Sequence, residues 1–171
     1  MPSAGDRRFG LYGMAAGLVL GLDVLTKQVV EAVFRHGEVR PVLGDWFQLR
    51  LVYNPGAAFD LHLGSYSRWI FLVIAAGAVI FLTRLARQTA PADRFRLVAL
   101  GLVAGGAAGN LVDRVRSPLG VVDFLDLGVG MLRWPTFNVA DMGVTVGAIA
   151  LAVSFWLEDA RRSRASASAS G

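Results

Sequence analysis

Two aspartates stand in apolar surroundings where solvated loop acids are seldom found. Asp123 lies within VVDFLDL, and Asp141 opens a segment that carries no further charge through Leu157. The β-branched and aromatic neighbours of Asp123 indicate a short strand or extended segment lying against a membrane. The chain between the two acids must return to the membrane face that it left, so the two side chains can meet there. Carboxylates in one apolar crevice cannot both ionise easily, so one pKa rises and the pair shares a proton.

Such a pair can hydrolyse an amide bond. The ionised member takes a proton from an attacking water while the protonated member donates to the carbonyl oxygen, which is the aspartic-protease arrangement. Asp126 is offset by three residues from Asp123 along the strand and is expected to point elsewhere. Asp141 also has a structural interpretation, because Asn138 can cap a helix in which an acid three positions later complements the dipole.

The composition indicates that these acids belong to a membrane protein. The chain of 171 residues is 54% hydrophobic, and its mean hydropathy is +0.51. A bilayer core of about 30 Å requires a helix of about 20 apolar residues, and backbone groups in lipid must pair within the segment. We therefore predict an all-α membrane protein with four transmembrane helices, at about residues 9–30, 66–83, 95–112 and 140–157. The first run is too long for a secretory signal and lacks a clear small-residue cleavage site, so we expect it to remain uncleaved.

The basic residues predict the orientation of these helices. The formal net charge is +4, and the excess is typical of loops that meet headgroups rather than of a nucleic-acid surface. We predict one domain over residues 1–158, with outer loops at 31–65 and 113–139, and a low-complexity, disordered cytoplasmic tail at 159–171. Both termini are predicted to be cytoplasmic because four crossings place most arginine clusters on that side. These clusters comprise Arg7, Arg8, Arg84, Arg87, Arg94, Arg96, Arg161, Arg162 and Arg164.

Polar residues within the helices gather toward the opposite leaflet. Ionisable groups at membrane depth are costly, so they are usually paired or mark a functional site. Asp23 and Lys27 have i, i+4 spacing and can neutralise each other, although direct chemistry is an alternative. Asn110 lies near the same end of the third helix.

Two outer-loop motifs admit both structural and functional interpretations. In VYNPGAAFDL, Asn54 can cap a short surface helix that begins at Pro55, or it can help to clamp a substrate. In GNLVDRVR, Asp113 with Arg114 or Arg116 can form an exit cap and interfacial charges, or the arginines can meet lipid headgroups and backbone carbonyls. Glycines at every fourth position predict close helix packing; they are Gly13, Gly17, Gly21, Gly101, Gly105, Gly109, Gly143 and Gly147.

The sequence offers little for a metal or a cofactor. It contains no cysteine, which excludes disulfides, thiol nucleophiles and cysteine-ligated metal sites. Neither His36 nor His62 has a partner at a zinc-ligand spacing. We therefore predict no metal and no cofactor.

Two other classes of function deserve comparison with hydrolysis. A small proton-coupled transporter or channel subunit would use Asp23, Lys27, Asp113 and Asp141 as a relay. Such a relay needs polar groups distributed through the bilayer, whereas these gather at one face. A purely structural scaffold would make every acid a cap or an ion pair, and it leaves Asp123 unexplained.

The motifs YNPGAAF, GNLVDR, VVDF and FNVADMGVTVG, with Asp23 and Lys27 before them, closely resemble the lipoprotein signal peptidases, or signal peptidase II, of bacterial inner membranes. The resemblance covers roughly residues 11–157. It implies an aspartic endopeptidase that cleaves a prolipoprotein signal peptide just before a cysteine carrying diacylglycerol. It further implies contact with membrane lipid, inhibition by globomycin-type cyclic peptides, and a fold with a small β-sheet cradle and a short surface helix on the outer side.

The resemblance also assigns roles to individual residues. It makes Asp123 and Asp141 the catalytic dyad. It implies that substrate and dyad are positioned by Asn54, Asn110, Arg114, Asn138 and Ala140, with support from Asp23 and Lys27. The chain departs from the family pattern at Gly120, which stands one residue closer to Asp123 than usual, in the lengthened VRSPLG segment, and at Asp60, where serine is frequent.

Overall fold

Four long helices form the body of the molecule. The computed structural model describes residues 4–56 and 64–169. The helices are α1 (Ala4–Val33), α2 (Ser67–Gln88), α3 (Arg94–Arg116) and α4 (Val139–Ala169). Each contains a segment long and apolar enough to cross a membrane, namely Gly10–Val33, Ser67–Gln88, Arg94–Arg116 and Val139–Arg164. The predicted four-helix membrane architecture is confirmed.

The helices extend several residues beyond the predicted apolar runs. Helical hydrogen bonding continues through charged residues when these have partners, as Glu158 has in Arg96 and Arg162. Residues 159–169, for which the sequence predicts a disordered tail, continue α4. The alanines and arginines of this stretch are strong helix formers, which favours the continuation.

Helix α3 lies at the centre and packs against the other three helices. A Cβ atom at Gly105 would lie 2.9 Å from Cα of Ala16 in α1, and one at Gly147 would lie 2.6 Å from Cγ2 of Val103. These contacts confirm the predicted close packing through glycine. The expectation fails for α1, where a Cβ atom would meet nothing within 4 Å at Gly13, Gly17 or Gly21.

A small antiparallel sheet covers one end of the bundle, which we call the sheet end. Its strands are β1 (Val39–Leu43), β2 (Phe47–Asn54), β3 (Val121–Val129) and β4 (Leu132–Arg133), in the order β1-β2-β3-β4. Val30 of α1, Leu51 of β2, and Val122 and Phe124 of β3 form a buried apolar cluster. The sheet therefore rests on the helices through its apolar side chains, and the predicted cradle is confirmed.

The chain between β2 and α2 is described only in part. Residues 55–56 form a bend, and the chain is described again from the 3-10 turn Gly64–Tyr66. The surface helix predicted to start at Pro55 thus falls largely outside the described residues, as do Asp60 and His62.

Candidate active site

The two predicted catalytic acids come from different elements at the sheet end. Asp123 lies on β3 opposite Val52 of β2, and Asp141 lies in the first turn of α4. Asp123 is only 3% exposed. A strand and a helix start thus bring together residues that are 18 positions apart in the sequence.

Asn138 contacts both acids. Its side-chain Nδ2 donates to Oδ1 of Asp123 at 2.6 Å, and its backbone N–H donates to Oδ2 of Asp141 at 3.2 Å. Its Oδ1 accepts the backbone N–H of Asp141 at 2.9 Å. This reciprocal pair is a capping box with aspartate in the place of glutamate. The predicted helix cap is confirmed, and the same side chain connects the two acids.

Asn110 of α3 supplies a second amide. Its Nδ2 donates to Oδ1 of Asp141 at 2.8 Å. Its Oδ1 accepts from Nδ2 of Asn138 at 3.2 Å and from Nζ of Lys27 at 3.0 Å. These two donors fix the orientation of the amide, so its N–H points toward Asp141.

Asn54 at the end of β2 supplies the third amide. Its Nδ2 donates to Oδ2 of Asp123 at 3.2 Å, and its Oδ1 accepts the backbone N–H of Gly56 at 3.0 Å. One side chain therefore shapes the turn after β2 and contacts an acid of the pair, and its predicted role in holding a substrate stays a prediction.

The surroundings of Asp123 favour its protonated form. Burial raises its pKa to about 7, and the charge of Asp141 acts in the same direction. The amides of Asn54 and Asn138 and the charge of Lys27 lower this pKa without offsetting the rise. This agrees with a pair that shares one proton.

The two arginines at the end of α3 bind protein groups. Arg114 is buried and donates to the backbone carbonyls of Asn110 at 3.0 Å and Gly56 at 2.8 Å. Arg116 forms ion pairs with Glu31 at 2.7 Å and Asp113 at 2.8 Å. Arg114 therefore anchors the chain just after Asn54 through the protein's own carbonyl groups, and its predicted contact with lipid or substrate stays a prediction.

The remaining predicted residues lie directly behind the pair. The Asp23–Lys27 ion pair is confirmed, with Oδ2 and Nζ 2.7 Å apart. Oδ1 of Asp23 accepts the backbone N–H of Ala140 at 2.8 Å. Ala140 is completely buried, so α1 contacts the residue that precedes Asp141.

Sequence reasoning missed two residues of this region. Asp113, interpreted as an exit cap, an interfacial charge or a member of a transport relay, binds Lys27 at 2.8 Å and accepts the N–H of Val122 at 3.1 Å. Its position three residues after Asn110, on the same helix face, was the available signal. Gly120 has φ of +104°, and a Cβ atom there would lie 2.7 Å from Cα of Pro55. Only glycine tolerates that combination, so the shortened spacing before Asp123 still forms a defined turn.

Other polar candidates lie outside the hydrogen-bond network around the acids. Asp126 forms an ion pair with Arg133 at 2.7 Å, as expected for a side chain that points elsewhere. His36 packs its ring against Tyr53, with centroids 5.4 Å apart. Within residues 4–56 and 64–169, no group of three or more potential metal ligands occurs.

Comparison with known proteins places this arrangement in a family. A family model described as signal peptidase (SPase) II matches residues 15–157. The chain belongs to the signal peptidase II family. It is 39% identical to a lipoprotein signal peptidase from Ralstonia nicotianae, over 88% of this chain and 90% of the relative. A lipoprotein signal peptidase from Cupriavidus taiwanensis is 46% identical, over 88% of this chain and 85% of the relative.

Solved structures agree with this assignment to the signal peptidase II family. A bacterial membrane enzyme solved by the in meso method at 2.3 Å resolution has a TM-score of 0.79 and 27% identity, covering 89% of this chain and 91% of that one. A second such enzyme, at 1.9 Å resolution, has a TM-score of 0.74 and 29% identity, covering 85% of this chain and 92% of that chain. The chain is thus a membrane protease with the fold of these enzymes.

Proposed function

We propose that this protein is an aspartic endopeptidase that removes signal peptides from diacylglyceryl-modified prolipoproteins, cutting before the lipidated cysteine. The observation that carries the proposal is the contact of Asn138 with the carboxyl groups of both Asp123 and Asp141. This contact supports a dyad held together at the end of a membrane bundle. The names of the relatives support the substrate class.

Asp123 holds the shared proton at rest, and Asp141 is the carboxylate. The raised pKa of Asp123, to about 7, supports the first assignment. The position of Asp141 in the first turn of α4 supports the second, because the N-terminal end of a helix favours a negative charge.

The reaction needs only water and the two acids. Asp141 removes a proton from water as the water oxygen bonds to the scissile carbonyl carbon, and Asp123 gives its proton to the carbonyl oxygen. The tetrahedral intermediate collapses with cleavage of the carbon–nitrogen bond. The proton now on Asp141 passes to the leaving amine, and Asp123 recovers its proton from the intermediate's hydroxyl group.

The substrate enters from the outer leaflet of the bacterial inner membrane, and both termini are cytoplasmic. At the end opposite the sheet, the helix turns carry Arg84, Arg87, Arg94, Arg96 and Arg161, which supports this orientation. The diacylglyceryl group lies among the helices while the peptide reaches the sheet end. There Asn54 and Arg114, which fix the chain up to Gly56, position the substrate.

The alternative of a proton-coupled transporter receives less support. Asp23, Lys27, Asp113 and Asp141 belong to one hydrogen-bonded group at the sheet end. A transport relay would require such groups along the depth of the bilayer. Inhibition by globomycin-type cyclic peptides is a further expectation of the peptidase assignment.

The deciding experiment is cleavage of a purified prolipoprotein in detergent by wild type, Asp123→Asn and Asp141→Asn. Each variant should lose turnover by about four orders of magnitude, the scale found when a member of a catalytic group is removed. The same peptide without diacylglycerol should be cleaved far more slowly by the wild type.

Asp126→Asn is the matched control, since it changes an equally buried aspartate on the same strand. It should keep most of its turnover. Near-normal turnover of either dyad variant would refute the role of that residue, and equal cleavage of both substrates would refute the lipid requirement.

A further inference from the structure

Lys27 is the centre of a buried charged cluster behind the two acids. It is 1% exposed, and Asp23 and Asp113 are 0% and 2% exposed. Its Nζ lies 2.7 Å from Oδ2 of Asp23, 2.8 Å from Oδ2 of Asp113 and 3.0 Å from Oδ1 of Asn110. An ammonium group has three N–H donors, and three oxygen atoms from two helices lie within 3.0 Å of this one.

Each carboxylate bound to Lys27 also holds the backbone next to one dyad residue. Asp23 accepts the N–H of Ala140 at 2.8 Å, directly before Asp141. Asp113 accepts the N–H of Val122 at 3.1 Å, directly before Asp123. The two connections are therefore alike. Each leads from the ammonium of Lys27 through one carboxylate to the backbone N–H of the residue before a dyad aspartate.

Gly109 makes room for this cluster between α1 and α3. A Cβ atom at this position would lie 2.5 Å from Oδ2 of Asp23 and 3.2 Å from Cβ of Ala140. The glycine of α3 therefore lets Asp23 reach Lys27 and Ala140 together. The glycine at position 109 thus serves the contact with the Asp23 side chain as well as the packing of the helices.

We infer that Asp23, Lys27 and Asp113 form a clamp that fixes the separation of the two catalytic carboxyl groups through the backbone amides of Ala140 and Val122. The inference rests on the proposed function and assigns positioning roles, because the three side chains contact one another, backbone amides, Asn110 and Arg116 rather than the dyad oxygens. Hydrogen bonds to charged groups are stronger than those between neutral groups, which suits them to hold two acids that would repel each other if both were ionised.

The first test compares Asp113→Ala with Asp113→Asn, using kcat and KM for the lipidated prolipoprotein. Alanine removes the acceptor for Val122, and a displacement of about 1 Å at a catalytic group lowers kcat about a hundredfold. KM should change little. Asparagine keeps one oxygen that can accept from both Val122 and Lys27, so it should recover most of the lost kcat.

The matched control is Asp126→Ala with Asp126→Asn. These changes break a buried ion pair on β3 that leads to Arg133 instead of the dyad. They should lower the melting temperature as much as the Asp113 changes while leaving kcat near that of the wild type. The inference is overturned if Asp113→Ala keeps normal kcat, or if asparagine restores nothing.

The pH profile of Asp113→Asn provides a second test that does not need the alanine variant to fold. The charged side chains around the dyad are Lys27 and Asp23 from α1 and Arg114 and Asp113 from α3. When Asp113 loses its negative charge, the positive charges of Lys27 and Arg114 are less compensated and favour the ionised form of the dyad. The alkaline limb of the pH–rate profile should therefore move to lower pH. An unmoved limb overturns the inference, whereas failure of the wild type to cleave the prolipoprotein would instead refute the proposed function.

Discussion

Neutral amides, rather than cations, contact the oxygens of the dyad. Asn54, Asn110 and Asn138 donate to Asp123 or Asp141, while the ammonium of Lys27 contacts Asn110, Asp23 and Asp113 instead of the dyad oxygens. A cation in direct contact would lower the pKa of a carboxyl group by about 1–3 units. The amides orient the acids and still allow one of them to keep a proton near neutral pH.

The raised pKa of Asp123 predicts the pH dependence of activity. If Asp123 must carry the shared proton, kcat/KM should fall as the pH rises above about 7. A pH–rate profile with the lipidated substrate between pH 5 and 9 would measure this limb. A rate that keeps rising through pH 9 would contradict the assignment of the proton to Asp123.

The same group predicts how stability depends on pH. Its folded-state pKa of about 7 lies above the ordinary value of 3.8, so the folded protein binds the proton more tightly. This contribution to the free energy of unfolding is complete below pH 3.8 and absent above about pH 7. Between these values it decreases by about 1.4 kcal/mol per pH unit. Asp123→Asn lacks it, so its melting temperature should rise relative to the wild type between pH 3.8 and about 7 and stay at a constant difference above that. A difference between the two proteins that does not change between pH 3.8 and about 7 would refute this linkage.

At the scale of elements, the turn between α3 and β3 sets the approach of Asp123 to Asn54. Gly120 combines φ of +104° with backbone contact to Asn54 and Pro55. Gly120→Ala should cost about 1–3 kcal/mol in backbone strain and should also lower kcat, because the added methyl group pushes β2 away. Melting temperature and kcat would be measured together.

Gly130→Ala is the control for that substitution. Gly130 also has a positive φ, of +55°, but a Cβ atom there meets nothing within 4 Å. It should lose some stability and keep its kcat. Equal kcat in the two variants would show that the contact with Asn54 has no catalytic consequence.

The elements were predictable from sequence to different degrees. Hydropathy predicts the four spans because the bilayer demands length and apolarity, and it predicts β3 because both faces of Val121–Phe124 are buried. It does not predict that α4 continues to Ala169. The charged residues after the apolar span remain helical there, with Glu158 paired to Arg96 and Arg162. The i, i+4 spacing identified Asp23 with Lys27, whereas the contact of Asp113 with Val122 depends on a turn geometry that no local pattern encodes.

At the scale of the whole molecule, the polar contacts between the helices lie at the two ends of the bundle. The buried network lies at the sheet end, and Arg96 joins α3 to α4 at the other through Glu158 and Ser154. Between them, α2 exposes large apolar residues such as Val73, Ile74 and Phe81, at 67%, 57% and 63%. Exposed apolar surface of this extent suits lipid contact.

This separation predicts which residues an impermeant reagent can reach. The chain contains no cysteine, so single-cysteine variants need no background removal. Met131, in the β3–β4 turn, is 100% exposed, and Ser163 lies exposed near the end of α4. Met131→Cys should react with a membrane-impermeant maleimide in intact spheroplasts, whereas Ser163→Cys should react only after lysis. Because one bundle fixes both positions on opposite sides of the apolar spans, the reverse pattern would place the sheet and the dyad in the cytoplasm, and it would exclude a substrate that approaches from the outer leaflet.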